Sequence, residues 1–67
     1  MTVVVVAKSR EGSRCFLHLR IGDERGRFEV DARSYEKAKG EHPVEVRDDL
    51  TVNMSGQRIE VKFPEEP

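Results

Sequence analysis

Residues that cross-link a fold or anchor it to a membrane are almost absent from this chain. Cys15 is the single cysteine among 67 residues, so no disulfide can form within the chain. The longest apolar run, residues 3–7, is too short for the core of a signal peptide and ends at Lys8. We therefore expect a soluble protein of a reducing cytoplasm, without a membrane-spanning segment.

An excess of charge of one sign is also missing. Twelve Lys and Arg residues oppose thirteen Asp and Glu residues, which gives a net charge of −1. A chain with this balance has no overall attraction to nucleic acid or to an anionic membrane. The net charge therefore supports neither class of partner.

Aromatic and apolar side chains are scarce. The chain has three Phe and one Tyr, and its apolar residues make up only 36% of the sequence. A domain of this size buries about 60% of the surface of its unfolded chain, so its core has few apolar side chains to spare. An aromatic residue on an outward face is therefore notable, and a partner chain that covered it would add stability.

Residue spacings typical of metal and catalytic sites are missing as well. Cys15 and His18 have opposite parity within one strand, so they point to opposite faces, and His42 is remote in sequence. Cys15 falls among inward aliphatic residues, where a thiol is usually inert. The acidic pairs at 48–49 and 65–66 fit a turn and a tail. We expect no enzyme activity, no metal and no cofactor.

What the sequence contains is a series of short segments with strand periodicity. Alternating or β-branched apolar residues predict six strands, over residues 2–8, 14–21, 27–32, 44–46, 50–54 and 59–63. Glycine-containing turns are predicted at residues 9–13, 22–26 and 55–56. Ser34 can cap a short helix over residues 35–39, for which Gly40 is a natural end.

Short strands in this order predict an all-β fold. We expect a small antiparallel barrel or rolled sheet of five to six short strands, of OB or SH3-like type, with one short helical turn after the third strand. The domain would cover residues 1–63 and end in a disordered tail at 64–67. Its last hairpin would turn at Ser55-Gly56, with Val52 facing Ile59.

The second predicted strand carries the candidate site. Its strict alternation places Cys15, Leu17, Leu19 and Ile21 inward and Arg14, Phe16, His18 and Arg20 outward. An aromatic side chain flanked by basic ones on an outward face indicates a binding surface.

The pairing with the first strand decides which residues lie beside Phe16. A two-residue turn at Glu11-Gly12 sets Ala7 opposite Phe16. A bulge that shifts the register by one residue sets Val6 there instead, and Val4 opposite His18. In either register, apolar residues of the first strand share the outer face with Phe16. The helical turn or the last strand of the same chain could cover this strip, and so could another chain.

The charges on this face bear on the class of partner. Basic residues around an aromatic are typical of surfaces that bind single-stranded nucleic acid. Glu29 and Asp31 of the third strand share the outer face, however. With a four-residue loop between the strands, Glu29 faces His18 and Asp31 faces Phe16. With a six-residue loop, Glu29 faces Arg20 and Asp31 faces His18, so either loop brings carboxylates among the basic residues. This neutralisation favours a protein partner.

We therefore predict a non-enzymatic protein-interaction module, such as an accessory or inhibitory protein of a bacterium or a phage. It would contact a protein partner, or a second copy of itself, through the outer face of the first hairpin. The predicted contact residues are Arg14, Phe16, His18, Arg20, Val4 and Val6. The alternative is a small β-barrel that binds single-stranded nucleic acid with Arg14, Phe16, His18 and Arg20.

Overall fold

A computed structural model describes residues 1–64 and organises them around one antiparallel sheet. Its four strands are β1 (Thr2–Glu11), β2 (Arg14–Ile21), β3 (Glu24–Val30) and β4 (His42–Glu45), in the spatial order β3-β2-β1-β4. A short helix, α1 (Ala32–Lys37), follows β3, and a 3-10 turn covers Val52–Met54. The fold is mainly β, as predicted, but the sheet has four strands and does not close into a barrel. Apart from Pro64, the predicted tail at 64–67 lies outside the described residues.

The first three strands follow one another through two-residue turns. Glu11 pairs with Arg14, and Ile21 pairs with Glu24. Gly12 and Gly22, which open the two turns, have φ angles of 61° and 62°. Such left-handed angles suit glycine because it has no Cβ. The second turn is shorter than predicted, because β3 begins at Glu24 rather than at residue 27.

The first turn lies at Gly12-Ser13 and sets a register that neither sequence alternative contained. Ser9, rather than Ala7 or Val6, faces Phe16. The predicted pairing was therefore wrong in both forms. The physical reason is that Gly12 can occupy either central position of a tight turn, so the sequence alone does not locate the turn to the residue.

A bulge in β1 lies between Val5 and Ala7. Val5, before the bulge, is 1% exposed in the core, whereas Lys8, beyond it, is exposed. The bulge leaves Val6 and Ala7 together opposite His18. It separates the part of β1 that packs in the core from the part that extends past it.

Helix α1 begins after Asp31, not after Ser34 as predicted. Asp31 occupies the N-cap position, and the hydroxyl of Ser34, inside the first turn, donates to Asp31 Oδ1 at 2.6 Å. At the other end, Lys8 Nζ donates to the carbonyl oxygens of Tyr35 at 3.0 Å and Ala38 at 3.1 Å. A cation in this place satisfies carbonyl groups that a helix end leaves unpaired.

The predicted fifth and sixth strands, and the hairpin between them, do not form. The chain does turn at Ser55-Gly56, where Gly56 has a φ of 92° and Gln57 N–H donates to Met54 O at 3.0 Å. The residues before this turn form the 3-10 turn, and those after it pair with β3 instead. Glu29 N–H donates to Gln57 O and Ile59 N–H donates to Glu29 O, both at 2.9 Å.

Residues 57–63, called the C-terminal segment, run from one edge of the sheet to the other. The segment is parallel to β3 at Glu29 and antiparallel to β4 at Glu45. Glu45 and Lys62 exchange two backbone hydrogen bonds of 2.7 and 2.9 Å. The C-terminal segment thereby pairs with both edge strands at single positions without completing a ladder.

The hydrophobic core lies on one face of the sheet. It is built from all four strands and from the segments that follow β3: Val3, Val5, Cys15, Leu17, Leu19, Phe28, Val30, Ala38, Val44, Val46, Leu50 and Ile59. The predicted inward positions of Cys15, Leu17 and Leu19 are confirmed. No helix within residues 1–64 has the length and apolar character needed to cross a membrane.

Candidate interaction surface

The face of the sheet opposite the core is called the outer face. Strand pairing places on it Val4, Ser9 and Glu11 of β1, Arg14, Phe16, His18 and Arg20 of β2, and Arg25, Arg27 and Glu29 of β3. The four contact residues predicted in the second strand therefore share one face with Val4. Val6 lies in the bulge and does not pack against the core cluster.

Phe16 lies on the outer face but is not exposed. The residue is 1% exposed and is not a member of the core cluster on the other side of the sheet. Two guanidinium groups cover its ring, with that of Arg27 4.4 Å and that of Arg14 5.1 Å from the ring centroid. Each such cation–π contact contributes about 0.5–1 kcal/mol at an exposed site, and the arginine methylene groups add apolar cover. Phe16 therefore faces outward as predicted, but arginines of the same sheet cover its ring, rather than the helical turn, the last strand or another chain that the sequence alternatives named.

Two carboxylates orient the arginines above Phe16. Arg27 Nη1 lies 2.8 Å from Glu11 Oε2, and Arg14 Nη2 lies 3.1 Å from Glu29 Oε1. Because Arg27 is on β3 and Glu11 is on β1, this ion pair passes over β2. The arginine side chains are 45% and 57% exposed, so each pair contributes about 1 kcal/mol or less. Their main effect is to hold the guanidinium groups over the ring.

Of the two carboxylates predicted to neutralise the outer face, Glu29 alone lies among its arginines. Its side chain is 18% exposed, accepts a hydrogen bond from Arg14 and lies 3.6 Å from Arg58. Asp31 lies past the end of β3, where the hydrogen bond from Ser34 lowers the pKa of its carboxyl. The prediction for Asp31 was wrong because its strand ends one residue earlier, at Val30.

The centre of the outer face is polar at His18 and apolar at the valines. His18 is half-buried, and its Nε2 lies 3.1 Å from Ser9 Oγ. Val4 and Val6 are also half-buried, and neither packs against the core cluster. They do not flank Phe16, because Ser9 takes that place.

A row of residues crosses the outer face on all four strands and is called the arginine row. Its members are Pro43, Val4, Arg20 and Arg25, each opposite the next. Arg20 and Arg25 are exposed, and neither forms an ion pair within residues 1–64. Like charges directly opposite each other destabilise a sheet. Sequence reasoning missed Arg25 because residues 22–26 were assigned to a turn.

Other parts of the described chain provide weaker candidates for a functional site. No three His, Cys, Asp or Glu side chains within residues 1–64 come together as a metal site requires. Cys15 is 4% exposed in the core, and the ring of His42 stacks on that of Phe63 with centroids 5.9 Å apart. An open groove beside the N-terminus is lined by charges of both signs. There, Asp48 accepts a hydrogen bond of 2.8 Å from the Met1 ammonium and raises its pKa.

Comparisons of this chain with protein-family models, with curated proteins and with solved structures give no match.

Proposed function

We propose that this chain is a non-enzymatic protein-interaction module that binds an acidic protein surface through the arginine row. The observation that carries the proposal is the direct opposition of Arg20 and Arg25, both exposed and without carboxylate partners among the described residues. A partner that supplies carboxylates would remove this repulsion on binding. Arg14 and Arg27, by contrast, already have carboxylate partners and cover Phe16.

The apolar half of the arginine row supports a protein rather than a nucleic acid as partner. Val4 and Pro43 continue the row beyond Arg20 and offer apolar contact area. Binding of single-stranded nucleic acid relies on an exposed aromatic ring on which a base can stack. Phe16, the aromatic residue of the outer face, is 1% exposed. The aromatic residue on which the nucleic-acid alternative depends is therefore not available for base stacking.

The same charges argue against a second copy as the partner. Two outer faces in contact would bring the arginine rows of both copies together, with no carboxylate between Arg20 and Arg25 to compensate. We therefore propose a different chain as the partner, in keeping with an accessory or inhibitory protein of a bacterial or phage-infected cytoplasm.

The first experiment measures binding of a synthetic acidic peptide, in which leucines alternate with glutamates, by following backbone amide shifts. We expect shifts centred on Val4, Arg20 and Arg25. Arg25→Glu is expected to weaken binding about tenfold or more, which corresponds to about 1.4 kcal/mol. Arg33→Glu is the matched control, because Arg33 is an exposed arginine of α1 and the charge change is the same.

Two outcomes would contradict the proposal. An equal loss of affinity in Arg25→Glu and Arg33→Glu would mean that the peptide responds only to net charge. Tighter binding of a single-stranded oligothymidylate than of the peptide, at equal ligand charge and at every salt concentration, would support the nucleic-acid alternative instead.

A further inference from the structure

The strand β1 is longer than the strand that pairs with its outer edge. β1 runs from Thr2 to Glu11, but β4 pairs only with Thr2–Val5. Residues 8–11, called the open edge, pair with β2 on one side. On the other side, no backbone hydrogen bond reaches them within residues 1–64. The last backbone contact on that side is Glu41 N–H donating to Val5 O at 2.5 Å.

The direction of the backbone groups along the open edge follows from the turn. In a two-residue hairpin, the pair that flanks the turn, here Glu11 and Arg14, exchanges hydrogen bonds. Hydrogen-bonded and non-hydrogen-bonded pairs then alternate along the ladder. Lys8 and Arg10 therefore direct both their N–H and their C=O groups away from β2.

The other outer edges of the sheet are partly occupied by later parts of the chain. Gln57 and Ile59 of the C-terminal segment bond to Glu29 of β3, and Lys62 bonds to Glu45 of β4. The open edge is thus the longest run of unpaired strand edge in the part of the chain that is described. Unpaired edges accept strands from other chains, because their backbone groups are already arranged for pairing.

The positive charges on the open edge indicate which kind of strand can pair with it. Lys8 and Arg10 are two residues apart, so they lie on the same side of the sheet, and both are exposed. The Lys8 ammonium already donates to the carbonyl oxygens of Tyr35 and Ala38, which leaves one of its three N–H groups for a carboxylate. Arg10 forms no ion pair among residues 1–64. In a continuous antiparallel sheet made by two copies, paired residues share a face, so Lys8 and Arg10 would oppose Lys8 and Arg10 of the other copy. This repulsion disfavours self-pairing, whereas an incoming strand with carboxylates at alternate positions would be complementary.

We propose that the open edge binds an extended acidic segment of another protein, which adds to the sheet as a further strand beside β1. The segment presents Glu or Asp at alternate positions toward Lys8 and Arg10, and its backbone pairs with the N–H and C=O groups of the same two residues. The open edge is a different surface from the arginine row, so this proposal goes beyond the proposed function and can fail or succeed independently of it.

The test uses the whole chain and a synthetic peptide that alternates threonine with glutamate. In the complex, we expect the amide protons of Lys8 and Arg10 to become protected from solvent exchange, and cross-strand nuclear Overhauser effects to join them to the peptide. Arg10→Glu should weaken this peptide about tenfold and should favour a peptide with lysine in place of glutamate. Arg10→Pro should also abolish binding, because proline lacks the edge N–H while the ladder to β2 does not use that group.

Controls separate the open edge from the arginine row. Arg33→Glu and Arg25→Glu should leave protection of the Lys8 and Arg10 amides by the peptide unchanged, and a loss in Arg25→Glu would place the peptide on the outer face and overturn the proposal. Binding without protection of the two amides would overturn it as well. If Arg10→Pro does not fold, the reversed peptide preference of Arg10→Glu decides the question. Nuclear Overhauser effects between the open edges of two copies would show that a second copy, rather than an acidic segment, is the occupant.

Discussion

At the scale of single residues, close packing in the core explains why position 26, which the sequence analysis assigned to a turn, is a glycine. Gly26 lies within β3, opposite Leu19, and is buried. A Cβ at this position would lie 2.8 Å from Cε2 of Phe28, 2.9 Å from Cζ of the same ring and 3.1 Å from Ser55 Oγ. Phe28 is 0% exposed in the core, so its ring has little room to move.

Gly26→Ala is therefore expected to lower the free energy of unfolding by about 1–3 kcal/mol, as other overpacked core substitutions do. Gly40→Ala is the matched control, because a Cβ at Gly40 would meet no atom within 4 Å. This control should change stability by less than about 0.5 kcal/mol. Urea denaturation of both variants measures the difference, and equal stabilities would contradict the packing argument.

At the scale of elements, α1 depends on contacts at both of its ends. A helix of six residues is too short to be stable alone in water. Lys8 Nζ bonds to carbonyl oxygens at its C-terminal end, and Ser34 bonds to Asp31 at its N-terminal end. Strand β1 thus positions the helix as well as the sheet.

The Ser34–Asp31 hydrogen bond gives α1 a pH dependence. The bond lowers the pKa of Asp31 below its ordinary value of 3.8. Its stabilisation is therefore complete above the unfolded-state pKa and is lost as the pH falls through the folded-state pKa. In Ser34→Ala, we expect the pKa of Asp31 to rise toward the ordinary value, as followed by the carboxyl carbon shift during a pH titration.

Asp49 serves as the internal control for that titration. A hydrogen bond from Arg47, on a different part of the chain, lowers the pKa of Asp49. Its titration should be identical in the parent protein and in Ser34→Ala. An unchanged pKa of Asp31 in the variant would show that the hydroxyl does not stabilise this carboxylate.

At the scale of the whole molecule, the C-terminal segment joins parts of the sheet that are far apart. β3 and β4 are the first and last strands of the sheet, and the segment bonds to Glu29 of one and Glu45 of the other. Ile59, which donates to Glu29 O, is also 6% exposed in the core. Loss of either attachment should therefore destabilise the entire fold rather than one edge.

Lys62→Pro tests this attachment. The substitution removes the N–H that donates to Glu45 O at 2.9 Å, and we expect it to lower the free energy of unfolding by about 1–2 kcal/mol more than Glu60→Pro does. Glu60 is also exposed and lies in the same segment, but its N–H makes no backbone hydrogen bond among the described residues. Chemical denaturation compares the two variants, and similar stabilities would mean that the β4 attachment contributes little.

The sequence correctly predicts the parts of the fold that depend only on the alternation of side chains within a single strand. The alternation of residues 14–21 and the valines of the first strand predicted β1 and β2 and the inward side chains of β2. The prediction of a C-terminal hairpin was wrong. It depended on the alternation of Leu50, Val52 and Met54 in the sequence, but only Leu50 is fully buried. Alternation over so few residues also fits a turn that buries one side chain.

The candidate site was harder to predict because it depends on which residues of different strands meet. The covering of Phe16 requires Arg27, whose position follows from a two-residue turn at Gly22 that the sequence presented as a longer loop. The same assignment concealed the opposition of Arg20 and Arg25. Side-chain parity within a strand can be read from a sequence, whereas cross-strand neighbours depend on turn lengths that several residues satisfy equally.

The ion pair of Arg27 with Glu11 has a consequence for how the chain selects one alignment of its strands. The pair joins β3 to β1 across β2, so it forms only when both outer strands are aligned correctly on the middle one. A slip of β1 by one residue would move Glu11 to the inner face and leave Arg27 without its carboxylate and Phe16 with less cover. A misaligned sheet would thus lose both the ion pair and part of the cover of Phe16. This weak surface interaction therefore contributes more to the uniqueness of the native state than to its stability.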